Sequence, residues 1–100
     1  MEGEGCRAEV AERRRRAFFE SVKFVYVLQS LVFPDRHYVG VTHDIEARLK
    51  LHNAGEVSHT SKFAPWRIKT YVAFSDDARA LAFERYLKSP SGRALAKKRL

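Results

Sequence analysis

A chain of 100 residues has room for one domain, and with 45% hydrophobic residues it can build a modest core. Nineteen Lys and Arg against 12 Asp and Glu leave a formal charge of +7, which favours polyanionic partners, nucleic acid above all. No apolar run is long enough to span a bilayer and the polar start MEGEGCRAEV is no secretory signal; a single cysteine, Cys6, excludes an internal disulfide, so a reducing, cytoplasmic setting is expected and a membrane partner is not.

In chain order, residues 1–20 read as a basic N-terminal extension ending in Arg13 to Arg16, Phe18 and Phe19. A short helix from about Ala8 to Glu20 is one expectation for it, a frayed tail the other. Its arginines are either a solvated charge run or a phosphate-contacting arm. Cys6 is assigned no role. The domain proper is expected over 21–100. Phe24 to Leu28 is a continuous apolar run with β-branched and aromatic members, as in a central strand buried on both faces. Pro34-Asp35 signals a turn, and His37 to Val41 is a second strand, so the two make a hairpin. Thr42 or Asp44 caps a helix running to about Asn53, with Gly55 where it would end. Glu56 to Pro65 reads as a polar loop. Trp66 to Phe74 is a third strand with Ile68, Thr70, Val72 and Phe74 on one face. Ser75-Asp76-Asp77 opens a helix reaching about Lys88, and Ser89-Pro90 starts a last short one, Ser as cap and Pro as first helical residue. The order β-β-α-β-α-α predicts an α+β fold with a three-stranded antiparallel sheet flanked by helices.

Several stretches share a familiar arrangement. Val25-Tyr26-Val27 stands where a GIY motif would, and Tyr38-Val39-Gly40 where YIG would. VTHDIEARLKLHNAG leads from the second strand into an Arg-bearing helix, SKFAPWRIK enters the third strand, and ALAFERYLKS is a helix with a central acid. Each match is weak alone, but their order and spacing together are not. From about Lys23 to Arg93 the chain resembles the GIY-YIG nuclease superfamily, in particular its small stand-alone bacterial branch. That resemblance implies a three-stranded antiparallel sheet with the site on one face, and divalent-metal-dependent cleavage of DNA, with Mg²⁺ or Mn²⁺ as cofactor.

Glu84 is the metal candidate. It sits in an apolar helix face beside Phe83, and a hard cation can bind through one carboxylate with waters and phosphate oxygens completing its shell. An i,i+4 pair with Lys88 is the plain alternative. Arg48, close to its helix's buried face, is the phosphate candidate, its guanidinium a charged planar fork; the alternative is a solvated Arg beside Glu46. Tyr26 and Tyr38 are the motif tyrosines. The resemblance assigns a tyrosine as base or water-positioner without saying which, and a nearby cation would lower the usual phenol pKa of about 10. By themselves both read as core aromatics. His52, four residues after Arg48, is either a proton relay or a last-turn His on the helix dipole. His43 and His59 read as loop or capping residues, and His37, of opposite parity to Tyr38, should face the other side of the sheet. Gly40 should let a helix or a phosphate approach the strand closely. Lys62, Arg67, Lys69, Lys88 and Arg93 are assigned general phosphate contact.

The chain departs from the family pattern where Val25 and Val27 replace Gly and Ile, and where Val41 stands in a position that often holds a lysine. The missing lysine directs attention to His52. Ala96 and Lys97 lie where some members carry an Asn. The expected function is a metal-dependent endonuclease acting on structured or damaged DNA. The alternative is a non-catalytic nucleic-acid-binding module that has kept the fold. RNA as ligand and a protein partner for substrate choice remain open at this level.

Overall fold

The computed structural model describes Arg13 and residues 21–100. The expectations for the rest of the N-terminal extension, its helix, its arginine run and Cys6, lie outside the described residues. Three strands, β1 (Lys23–Ser30), β2 (His37–Thr42) and β3 (Trp66–Phe74), form one antiparallel sheet in the order β2-β1-β3. Helix α1 (Ile45–Asn53) follows β2, a short 3₁₀ turn (Ser61–Phe63) precedes β3, and α2 (Asp77–Lys88) and α3 (Pro90–Arg99) close the domain. Among the described residues, no helix is long and apolar enough to cross a membrane.

The apolar run of β1 is central because both its faces are covered. Val25 and Val27 meet Ala80 and Leu87 of α2 on one face, with Val39, Val41 and Phe74 beside them. Tyr26 and Leu28 face the other way, into a second cluster with Trp66, Leu49, Phe63 and Tyr38. Burying side chains of this size contributes about 1.5–3 kcal/mol each. Two small half-cores on a shared strand therefore hold the domain, in place of one large one.

Local chemistry sets the helix ends. Asp44 caps α1 by accepting from the Ala47 N–H, while Thr42 accepts from Asp44 and stiffens the turn before it. Gly55 takes φ +77°, the left-handed conformation a side chain resists. It ends α1 with paired bonds, Gly55 N–H to His52 O and Glu56 N–H to Leu51 O, as in a Schellman closure. Asp76 caps α2, and Ser89 caps α3 with Pro90 at its first turn. At that last junction a Cβ on Gly92 would lie 1.8 Å from the Tyr86 carbonyl oxygen, so only glycine lets α3 fold back against α2.

One expectation fails on β3. Ile68 does not share a face with Thr70, Val72 and Phe74. Between Val27 and Leu28 the pairing slips by a residue, so that Leu28 pairs with Ile68, Val27 with Thr70, and Lys69 has no partner. This β-bulge turns Ile68 into the Tyr26 cluster while Phe74 packs on the α2 side. Strict alternation cannot foresee an extra residue in the ladder.

Candidate active site

Tyr26 and Tyr38 come to one face of the sheet through the hairpin register. Tyr26 pairs with Gly40 and Leu28 with Tyr38, and the two phenol rings lie 6.3 Å apart between centroids. Gly40 has a sharper role than a general close approach. A Cβ there would stand 2.4 Å from the Tyr26 hydroxyl oxygen and 2.6 Å from its ring carbon, so the missing side chain is the room in which the phenol lies. The close neighbour at Gly40 is therefore a phenol from the adjacent strand, and not the helix or phosphate that its sequence position suggests.

Helix α1 brings its own residues over this phenol. The Tyr26 hydroxyl is 3.1 Å from His52 Nε2, and His52 Nδ1 is 2.7 Å from Thr60 Oγ1. Thr60 donates its hydroxyl proton to the Val57 carbonyl at 3.2 Å. Toward His52 it therefore accepts, which assigns the imidazole proton to Nδ1 and leaves Nε2 to accept from Tyr26. The order is Tyr26 O–H to His52, His52 N–H to Thr60, Thr60 O–H to Val57. His52 is fully buried (0% exposed) and Tyr26 nearly so (2%). Burial, then the Arg48 charge, lowers the His52 pKa from its ordinary 6.5, so the ring is neutral at pH 7.

The loop that supplies Thr60 is not free. Trp66 donates its indole N–H to the Thr60 carbonyl, and the Asn53 side chain bridges the Trp66 backbone N–H and C=O. Thr60 and Asn53 carried no signal in the sequence, since each looks like an ordinary loop or helix-end polar residue. What marks them is burial and partner, which appear only on folding.

Arg48 lies beside both phenols, and the Tyr26 hydroxyl chiefly holds its pKa above the ordinary value. Its Nε is buried with no hydrogen-bond partner, a cost that folded proteins rarely leave uncompensated away from a functional site. As expected, the Arg48 cation acts to lower the Tyr26 pKa, but the net shift is upward. Burial is the largest influence and raises it, and the neighbouring guanidinium only partly offsets this. Tyr26 therefore rests as the neutral phenol. The Glu84 charge acts on Tyr26 in the same upward direction, as the smallest of these influences. Among the described residues Glu84 pairs with Lys88, at 3.5 Å across one helical turn, and the carboxylate remains 21% exposed. Among the described residues there is no group of three His, Cys, Asp or Glu suited to a metal. Any cation here would be held by the single carboxylate of Glu84, a donor set that suits a hard ion keeping most of its waters.

The remaining candidates are dispersed. His43 Nδ1 is 3.3 Å from the Val22 carbonyl and His59 is exposed, so neither joins the site. Lys62 is exposed on the 3₁₀ turn, and Arg67 is hydrogen-bonded to the Gln29 side chain. Lys69, Lys88 and Arg93 line a concavity with His37, reached from the sheet face opposite the tyrosines.

Fold and site together define a small α+β catalytic domain with a tyrosine–histidine pair and an arginine on one sheet face and the Glu84 carboxylate on the helix packed against the other. The family described as "GIY-YIG catalytic domain" matches residues 12–99, and the chain belongs to it. This is a family of nucleases. A relative is "Structure-specific endonuclease subunit SLX1 homolog" of Giardia intestinalis, 37% identical over 65 residues, which are 61% of this chain. The chain spans 18% of that protein's length. Among solved structures, the NMR structure of the UPF0213 protein BH0048 from Bacillus halodurans is 27% identical, with 76% of this chain and 80% of that one covered and a TM-score of 0.47.

Proposed function

We propose that this domain is a divalent-metal-dependent endonuclease that hydrolyses DNA phosphodiester bonds on structured or damaged DNA. The observation that carries the mechanism is the buried hydrogen-bond chain from Tyr26 through His52 to Thr60, with Arg48 beside it. A neutral phenol is too weak a base to take a proton from water and hold it. With His52 Nε2 accepting at its hydroxyl, Tyr26 takes the water proton as it gives up its own. The water oxygen bonds to phosphorus, the bond to the leaving oxygen breaks, and that oxygen takes up a proton from solvent. Arg48 offers its fork to the non-bridging oxygens as negative charge grows on them. Thr60 holds the His52 ring in the tautomer that can accept. Tyr38, its ring centroid 4.9 Å from that of His52, packs against the imidazole. Glu84 would hold Mg²⁺ or Mn²⁺, which supplies charge neutralisation at the phosphate.

The SLX1-homolog relative is named a structure-specific endonuclease subunit, which supports branched or flapped DNA as substrate and a protein partner that selects it. The setting we infer is cytoplasmic, with DNA repair as the use. The test is cleavage of flapped, branched and intact duplex DNA by purified protein with Mg²⁺ or Mn²⁺, and with EDTA. Glu84→Gln and Arg48→Ala should abolish cutting while circular dichroism stays native. If both cut like the wild type, the site assignment is wrong. Metal-independent binding with no cutting of any substrate would favour the non-catalytic module.

A further inference from the structure

On the face of the sheet away from the tyrosines, β2, α2 and α3 enclose a concavity of 590 Å³. Its size lies in the range of small-ligand sites, about 300–1,000 Å³. Its floor is apolar: half-buried Val39, Ala96 and Leu100 present the surface, with Val27 and Leu87 buried beneath them. Among the described residues, its walls carry five permanent cations, Arg36, Lys69, Lys88, Arg93 and Lys97, against one side-chain carboxylate, Asp35. Two features of the fold build this composition. The bulge on β3 leaves Lys69 outside the ladder, and the tight Gly92 junction folds α3 back so that Arg93 and Lys97, one turn apart, share a wall.

The site chemistry is specific. An apolar floor with no acidic side chain on it suits a flat, weakly polar group, and a cationic rim suits phosphate. An unpaired nucleotide joins those two parts in one ligand, whereas inorganic phosphate leaves the floor unused. The wall is also continuous with the candidate catalytic carboxylate, because Lys88 lines the concavity and pairs with Glu84 at 3.5 Å. From this juxtaposition we infer that the concavity seats an unpaired nucleotide of a nucleic-acid strand, its base on the valine–leucine floor and its phosphates on the rim. The inference extends the nuclease reading by a second contact surface, and it is tested by binding alone, so either can fail without the other.

Fluorescein-labelled dT₁₀ is titrated by anisotropy into wild-type protein in EDTA at several salt concentrations. Arg93→Glu with Lys97→Glu, both exposed on α3, should weaken binding at least about tenfold and make the salt slope shallower by about 1.4, at about 0.7 per lost phosphate contact on a single strand. Arg79→Glu with Lys98→Glu changes the net charge equally outside the concavity and should stay within twofold. In wild-type protein, unlabelled dT₃ should shift the Val39 and Leu87 methyl resonances and leave those of Leu49 and Ile68 in place. Equal loss in both charge-reversal pairs, no loss in either, or shifts confined to Leu49 and Ile68 would overturn the proposal. So would a deca-glutamate peptide that displaces labelled dT₁₀ as well as unlabelled dT₁₀ does. Binding that behaves as expected with no cleavage in Mn²⁺ counts against the nuclease reading only.

Discussion

At the scale of single residues, the site turns on a hydroxyl, an imidazole and a missing side chain. Gly40→Ala would drive a methyl into the Tyr26 phenol at 2.4 Å, so the ring must rotate away from His52. We expect a stability loss of about 1–3 kcal/mol in urea melts, as for an overpacked core, and a loss of cleavage larger than that loss explains. Tyr26→Phe leaves His52 Nε2 buried without a donor, at a cost of about 1–3 kcal/mol, and removes the relay outright. The pH profile should separate relay from scaffold. Because His52 titrates below its ordinary 6.5, kcat/KM should hold down to pH 6.5 and fall only beneath it. A His52→Gln variant with residual activity should lack that acid limb; if the limb persists, His52 is not the proton acceptor.

Elements matter because they carry these residues at fixed heights and phases. Helix α1 brings Arg48 and His52 over the sheet on one side, four residues apart and so on one face. Its Asp44 cap holds the first turn, and Asp44→Ala should cost about 1 kcal/mol. Helix α2 carries Glu84 from the other side. The α2–α3 junction is stricter than either cap, since Gly92 has backbone where a Cβ would go. Gly92→Ala should destabilise by more than about 2 kcal/mol in denaturant melts, or loosen α3 alone. Ser89→Ala, at the same junction, removes only a cap and should cost about 1 kcal/mol. A Gly92→Ala protein as stable as Ser89→Ala would contradict the close contact.

Over the whole molecule, two imidazoles with lowered pKa values, buried His52 and exposed His37, give stability a pH dependence. His52 and His37 both have pKa values lowered from 6.5, each chiefly by desolvation. In the unfolded chain they protonate near 6.5, so below that pH the unfolded state binds more protons. Their contribution is complete above pH 6.5 and is lost as pH falls through the lowered folded values. Thermal melts should therefore fall between pH 6.5 and the folded values, and His52→Gln should flatten part of that decline. The charge of +7 adds a general attraction for nucleic acid, screened by salt.

The amino-acid sequence by itself determined the element order, the central strand and most helix ends. Asp44, Gly55, Asp76 and the Ser89-Pro90 pair act on backbone within a few residues, so their effect is readable locally. Through the resemblance to the GIY-YIG family it also put Tyr26, Tyr38, Arg48, His52 and Glu84 forward. Only the tertiary structure decided how they meet. The bulge at Lys69 reverses Ile68 because strand pairing is settled by the partner strand. Thr60 fixes the His52 tautomer from a separate loop, and Gly40 is occupied by a phenol from the neighbouring strand. Tyr26 is raised and not lowered because burial depends on everything packed around it, which no spacing along the chain records.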